Sequence, residues 1–203
     1  MGVRTVWPLL LVVLCSACST RTDAPAKAPQ IPTILAPTTV VKTPVMVDRE
    51  LPQDCESIVP VEVVDQKLGR QLGGATRGII GIKEPSLGRT GKIDCYYGLG
   101  DRQPLTASPL VIGLSTYTDE ATAKGRVTES VDAERREGGS VAEVDVGKVK
   151  ASVVGTSAER LLIGSLGKTT FVVRMKAGTL PDDQVGAVMA GLAQQSMTPV
   201  EDA

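Results

Sequence analysis

The chain has 203 residues, 22 of them Lys or Arg and 23 Asp or Glu, for a formal charge of −1. That balance supplies no basic field to hold nucleic acid, and an aromatic content of 2% leaves few platforms on which bases or sugars can stack. Histidine and asparagine are both absent, which removes Ser-His-Asp and Cys-His catalysis and histidine-bearing zinc sites.

Arg4 gives the N-terminus a positive charge, residues 6–14 form a short apolar run, and Ser16-Ala17-Cys18 close it with small residues before a cysteine. A run of this length cannot cross a hydrocarbon core that needs about 20 residues, so the segment is a secretory signal peptide. Ser16-Ala17-Cys18 resembles the lipobox of bacterial lipoproteins, in which the cysteine is diacylated and the leader is cut just before it. The departure is Cys15 at the third position before the cut, where the family carries Leu; here Leu14 stands one step further out. Cys15 is the poorer acceptor, because Leu14 would directly precede it. The resemblance implies that residues 1–17 are the leader and that Cys18 carries a diacylglycerol anchor, placing the protein on the extracytoplasmic face of the cell membrane. Two acyl chains hold stably where one is marginal. The alternative is plain secretion with Cys18 removed or paired.

Losing Arg4 takes the formal charge from −1 to −2, and losing Trp7 leaves Tyr96, Tyr97, Tyr117 and Phe171 as the aromatic residues. The core must therefore be aliphatic. Of the four cysteines, Cys15 leaves with the leader and Cys18 takes the lipid. Cys55 and Cys95 remain as a pair in an oxidising compartment, which points to a structural disulfide; a redox or metal pair is the alternative.

Residues 18–50 hold Pro25, Pro29, Pro32, Pro37 and Pro44 among Ala and Thr, and no helical or strand period survives them. They read as a tether, able to hold a domain roughly 30 to 100 Å from a bilayer. From Leu51 a single globular domain runs to residue 203, long enough to bury about 70% of the surface its unfolded chain exposes.

Within it, residues 54–68 predict a helix with Cys55 at its start and Gly69 as its stop. Residues 69–91 are glycine-rich and read as a long loop with one weak strand at most, a candidate lid. Residues 93–98 and 109–117 predict an antiparallel pair. Thr118, Asp119 and Glu120 open a helix that ends at Gly138-Gly139; its apolar face is thin, so it belongs on the surface. Residues 144–154, 160–165 and 169–176 predict three strands in a meander, and Pro181 opens a last helix with Val185, Val188, Met189, Leu192 and Ser196 on one face. The order is α-β-β-α-β-β-β-α. It predicts an α+β fold with an antiparallel sheet of about five strands and about three helices.

Two motifs fall short of chemistry. Ser165-Leu166-Gly167-Lys168 matches the S-x-x-K of penicillin-recognising enzymes, but it sits at a predicted hairpin, and the companion S-D-N element cannot exist without asparagine. Gly167-Lys168-Thr169 lacks the first glycine of a phosphate loop, because position 162 is Leu. Glu129, Asp132, Glu134 and Glu137 are interleaved with Arg126, Arg135 and Arg136, the pattern of a solvated helix face.

Lipobox, Pro/Thr tether, one disulfide and a Val/Ala/Gly-rich α+β domain together resemble the small cell-envelope lipoproteins of actinobacteria. The absent catalytic set, together with a tether that presents a domain, points to a non-catalytic binding or interaction module, with an envelope protein or lipid as partner and no cofactor, metal or nucleic acid. The alternative function is a carrier of a lipid or other apolar ligand; a carboxylate-based hydrolase is more remote.

Overall fold

Two Gly-Lys dipeptides shape the second half of the molecule. The structure, a computed structural model, describes residues 45–81 and 83–199, which lie within one compact unit, Lys42–Ala203. Gly147 and Gly167 take φ values of 57° and 56°, which L side chains rarely adopt, and each pairs with the following lysine to close a two-residue hairpin. The strands are β1 (Ala75–Gly81), β2 (Arg89–Leu99), β3 (Leu110–Tyr117), β4 (Ser140–Val146), β5 (Val149–Gly155), β6 (Glu159–Leu166) and β7 (Thr169–Lys176). The helices are α1 (Val61–Leu68), α2 (Glu120–Arg136) and α3 (Asp182–Ser196).

All seven strands join one antiparallel sheet in the order β1-β2-β3-β7-β6-β5-β4. Two meanders, β1 to β3 and β4 to β7, meet where β3 pairs with β7, and α2 carries the chain from β3 to the far edge. The α+β class, the antiparallel sheet and the three helices agree with the sequence. The strand number does not: the sheet has seven strands, not five. Residues 144–154 are interrupted by the Gly147-Lys148 turn and make parts of two strands. The glycine-rich stretch 69–91 is not a lid-like loop. It contains all of β1, a 3-10 turn at Pro85–Leu87 and the start of β2.

The first helix is also shorter than expected. Pro60 sits at its N-cap with ψ of 145°, and a proline disfavours helical backbone in the residue before it, so the helix cannot run through from residue 54. Cys55 lies instead in a separate turn, where its carbonyl accepts from Ile58 and Val59 and Asp54 Oδ1 accepts from the Ser57 amide. The disulfide is present: Cys55 and Cys95 are bonded, with their Cα atoms 5.6 Å apart, and both are buried.

Alternation along the strands gives the sheet two unlike faces. Ile93, Cys95 and Tyr97 of β2, Leu110, Ile112 and Leu114 of β3, and Phe171, Val173 and Met175 of β7 point to one side. There they meet Val185, Met189, Leu192 and Ala193 of α3, with Val64 and Leu68 of α1 beside them. This is the core. Residues 45–51 run along the same unit: the Val47 amide donates to Met197 O, Arg49 Nη1 to Thr198 O at 3.1 Å, and Asp48 Oδ1 accepts from Thr169 Oγ1 at 2.9 Å. The expected leader, residues 1–17, and most of the expected tether, Cys18 included, lie outside the described residues.

Candidate functional site

The other face of the sheet is covered only in part. Helix α2 buries just Ala123 and Val131, both small, so it has little apolar surface with which to clamp down. It lies mainly over β6, with β7, β3 and β5 to the sides, and buries Leu161 and Ile163 beneath it. Towards β7, β3 and β2 the sheet face stays open. The result is a groove of about 650 Å³, walled by Arg126, Ser130, Ala133 and Glu134 of α2 and by Leu105 and Thr106 before β3.

Strand register lays out its floor in rows. Across β2, β3, β7 and β6 the first row is Tyr96, Val111, Arg174 and Leu161, and the second is Asp94, Gly113, Val172 and Ile163. A third begins Lys92, Ser115, Thr170. Val111, Val172, Leu161 and Ile163 thus form an apolar strip between polar margins. Gly113 leaves a gap in the middle, and the Asp94 carboxylate leans over it: a Cβ there would collide with Asp94 Oδ1. Tyr96 and Tyr117 face this groove, while Tyr97 and Phe171 are fully buried in the core. Two of the four aromatic residues among the described residues therefore line the groove.

The charges here are locally balanced. Lys92 Nζ meets Asp94 Oδ2 at 2.7 Å, Arg89 Nη2 meets Glu84 Oε2 at 2.7 Å, Arg174 Nε lies 3.5 Å from Glu159 Oε1, and Arg126 pairs with Glu129. Lys176 Nζ donates to the Ala107 carbonyl at 2.9 Å. Arg89 Nε is buried and has no hydrogen-bond partner among the described residues. Such a surface offers donors, acceptors and an apolar strip together, and carries no strong field of either sign. It is suited to holding a ligand by shape and hydrogen bonds.

The sequence-derived candidates fall elsewhere. Cys55 and Cys95 lie on the core side of the sheet, where their role is to fasten the turn before α1 to the middle of β2. Ser165 lies in β6, one residue before its end, while Gly167 and Lys168 form the turn, so the S-x-x-K spacing is not helical; the Lys168 amide donates to Asp48 Oδ2 at 3.1 Å. Of the α2 acids, Glu134 faces the groove, and Glu129 and Asp132 pair with Arg126 and Arg135 on their own helix. Among the described residues no group of three or more His, Cys, Asp or Glu side chains is placed to hold a metal ion. No described helix is long and apolar enough to cross a membrane.

The groove residues do not stand out in the sequence, although it holds a signal for them. Lys92, Asp94 and Tyr96, and likewise Thr170, Val172, Arg174 and Lys176, alternate with core residues along their strands. Period two places each set on a single face. The pairing of β2 with β3 is expected from the sequence; what the sequence does not reveal is that β7 lies on the other side of β3, which brings the two sets together.

No family model matches the chain, and no curated protein does. Among solved structures, it is similar to the extracellular domain of PknH from Mycobacterium tuberculosis, with 11% identity and a TM-score of 0.46, covering 70% of this chain and 93% of that one.

Proposed function

We propose that this protein is an exported, lipid-anchored lipoprotein of the cell envelope. Its folded domain is a non-catalytic binding module, and the groove between α2 and the open sheet face is its binding site. The observation that carries the reading is the groove: an antiparallel sheet with one face sealed by α1 and α3 leaves the other largely open and lines it with paired charges, hydroxyls and two tyrosines. A polar face in water is ordinary for an antiparallel sheet; here α2 and the segment before β3 rise on either side of it and make it concave, the shape a ligand site needs. The anchor rests on the sequence of residues 14–18, with Cys18 as the acylated residue on the extracytoplasmic side of the membrane. An envelope protein or a small envelope molecule is the partner class.

The test is site-specific photocrosslinking in intact cells, with the crosslinker at Val111 in the groove and, as a control, at the exposed Lys148 in the β4–β5 turn. Adducts formed from Val111 and not from Lys148 are expected, and their mass separates a protein from a small molecule. Equal labelling from both positions, or none from Val111, overturns the reading. The carrier alternative draws on the strip of Val111, Val172, Leu161 and Ile163, and an acyl-chain adduct at Val111 would establish it. Cys18→Ser tests the anchor separately: the protein should leave the membrane fraction for the soluble one.

A further inference from the structure

We propose that β1 is a self-pairing edge, through which two copies of this chain join their sheets in antiparallel register. The groove plays no part in this pairing. Strand β1 hydrogen-bonds to β2 on one side, and among the described residues no strand pairs with its other side. An uncovered edge presents a row of N–H and C=O groups whose natural complement is another strand. Ile80 and Ile79 stand 67% and 44% exposed there, and the only other exposed large hydrophobics among the described residues are Val45 and Val47. The opposite edge, β4, is guarded by Glu143 and Asp145, both paired with Lys150, the usual device against edge pairing. From Gly78 to Gly81 there is no charge.

The sequence of the edge selects a second copy as the occupant. An antiparallel pair centred on Ile79 sets Ile79 against Ile79 of the second copy, Ile80 against Gly78, and Arg77 against Gly81. Each large side chain meets an isoleucine or a bare glycine, and no like charges come opposite. Gly78 lies opposite Cys95 in the β1–β2 ladder, and a Cβ on it would come within 3.0 Å of Cys55 Sγ, so it adds no bulk beside Ile80. The contact is isologous and closes at two copies.

The experiment uses the full chain in its host cells. Ile79→Cys places a thiol directly opposite its own copy in the pair, and a short bis-maleimide is added. A dimer linked between the two introduced thiols is expected, at least tenfold above that from Lys148→Cys at the far end of the sheet. Adding Ile80→Lys to the Ile79→Cys chain should reduce this link at least tenfold, while an intact Cys55–Cys95 disulfide reports that the fold is kept. Three outcomes overturn the proposal: no link above the Lys148→Cys level, a link from the thiol at position 79 to a different protein, or a link within one chain to residues 1–44.

Discussion

Tyr97 donates its phenolic hydrogen to the carbonyl of Val59 over 2.8 Å, inside the core and two residues along β2 from Cys95. Together with the disulfide it fixes the segment before α1 to the sheet. Tyr97→Phe keeps the ring and leaves the Val59 carbonyl unpaired in a dry site, which should cost about 1–2 kcal/mol. For a domain of this size that lowers Tm by roughly 2–8 °C. Burial, and secondarily the charge of Glu56, also push the Tyr97 ionisation well above the ordinary tyrosine range. The native state therefore holds a proton that the unfolded chain releases above about pH 10. This contribution to stability is complete below that pH and is lost as pH rises further. Chemical denaturation from pH 8 to 11 should show the decline in the wild type and a shallower one in Tyr97→Phe.

The Cys55–Cys95 disulfide closes a separation of 40 residues between a turn and the middle of a central ladder. Replacing both cysteines by alanine should lower stability by about 2–4 kcal/mol, through the freedom returned to the unfolded chain. Urea midpoints measured with and without reductant provide the check. Reductant should move the wild type to the position of the double variant and leave the variant unchanged.

How much of the fold is legible in the chain depends on whether an element announces itself by burial. Helix α3 does so, because Val185, Met189, Leu192 and Ser196 all face the core, and so do β6 and β7, joined at Gly167-Lys168. The identical turn at Gly147-Lys148 is hidden, since Val144, Val146 and Val149 make one apolar run across it. Strand β1, the one weak strand that residues 69–91 allowed, gets no bounds from the sequence for the opposite reason. It is an edge exposed on both faces, so Ala75-Thr76-Arg77-Gly78-Ile79-Ile80-Gly81 carries no alternation to detect. Pro60 does carry a signal, the restriction it places on Val59, and that alone rules out a helix running through from residue 54. The groove depends on strand order, which short-range pattern does not encode.

Asp119 caps α2, the helix that walls the groove. Its Oδ1 accepts from the Thr122 amide at 2.7 Å and its Oδ2 from the Thr122 and Thr118 hydroxyls at 3.0 and 3.1 Å. The bond from the Thr122 amide, followed by those from the hydroxyls, holds this carboxyl below its ordinary range. A carboxyl with a depressed native pKa stabilises fully above its unfolded value, near 3.9, and loses that effect as pH falls through the lower native one. Asp119→Ala should therefore speed amide exchange in the first turn of α2 at neutral pH. The difference from wild type should shrink once the pH is low enough to protonate the native carboxyl. An unchanged exchange rate at neutral pH would mean that packing on β6 alone holds the helix start.

Two glycines, one on each face of the sheet, should respond unequally to the same substitution. Gly164 stands in a row with Ala151 and Phe171, and a Cβ on it would lie 2.5 Å from Phe171 Cζ and 3.0 Å from Ala151 Cβ. Phe171 is fully buried and cannot retreat. Gly164→Ala should therefore cost about 1–3 kcal/mol through overpacking. Gly113, on the groove face, is crowded chiefly by the free end of the Asp94 side chain, which can swing out over the groove. Gly113→Ala should cost less than Gly164→Ala, because the atom in the way is the end of a side chain that can move, while breaking the Lys92–Asp94 pair and raising the groove floor. Urea denaturation of the two variants checks the stabilities, and the Val111 crosslinking yield in Gly113→Ala reports on the groove. A folded Gly113→Ala protein with reduced crosslinking would place the ligand directly over β3.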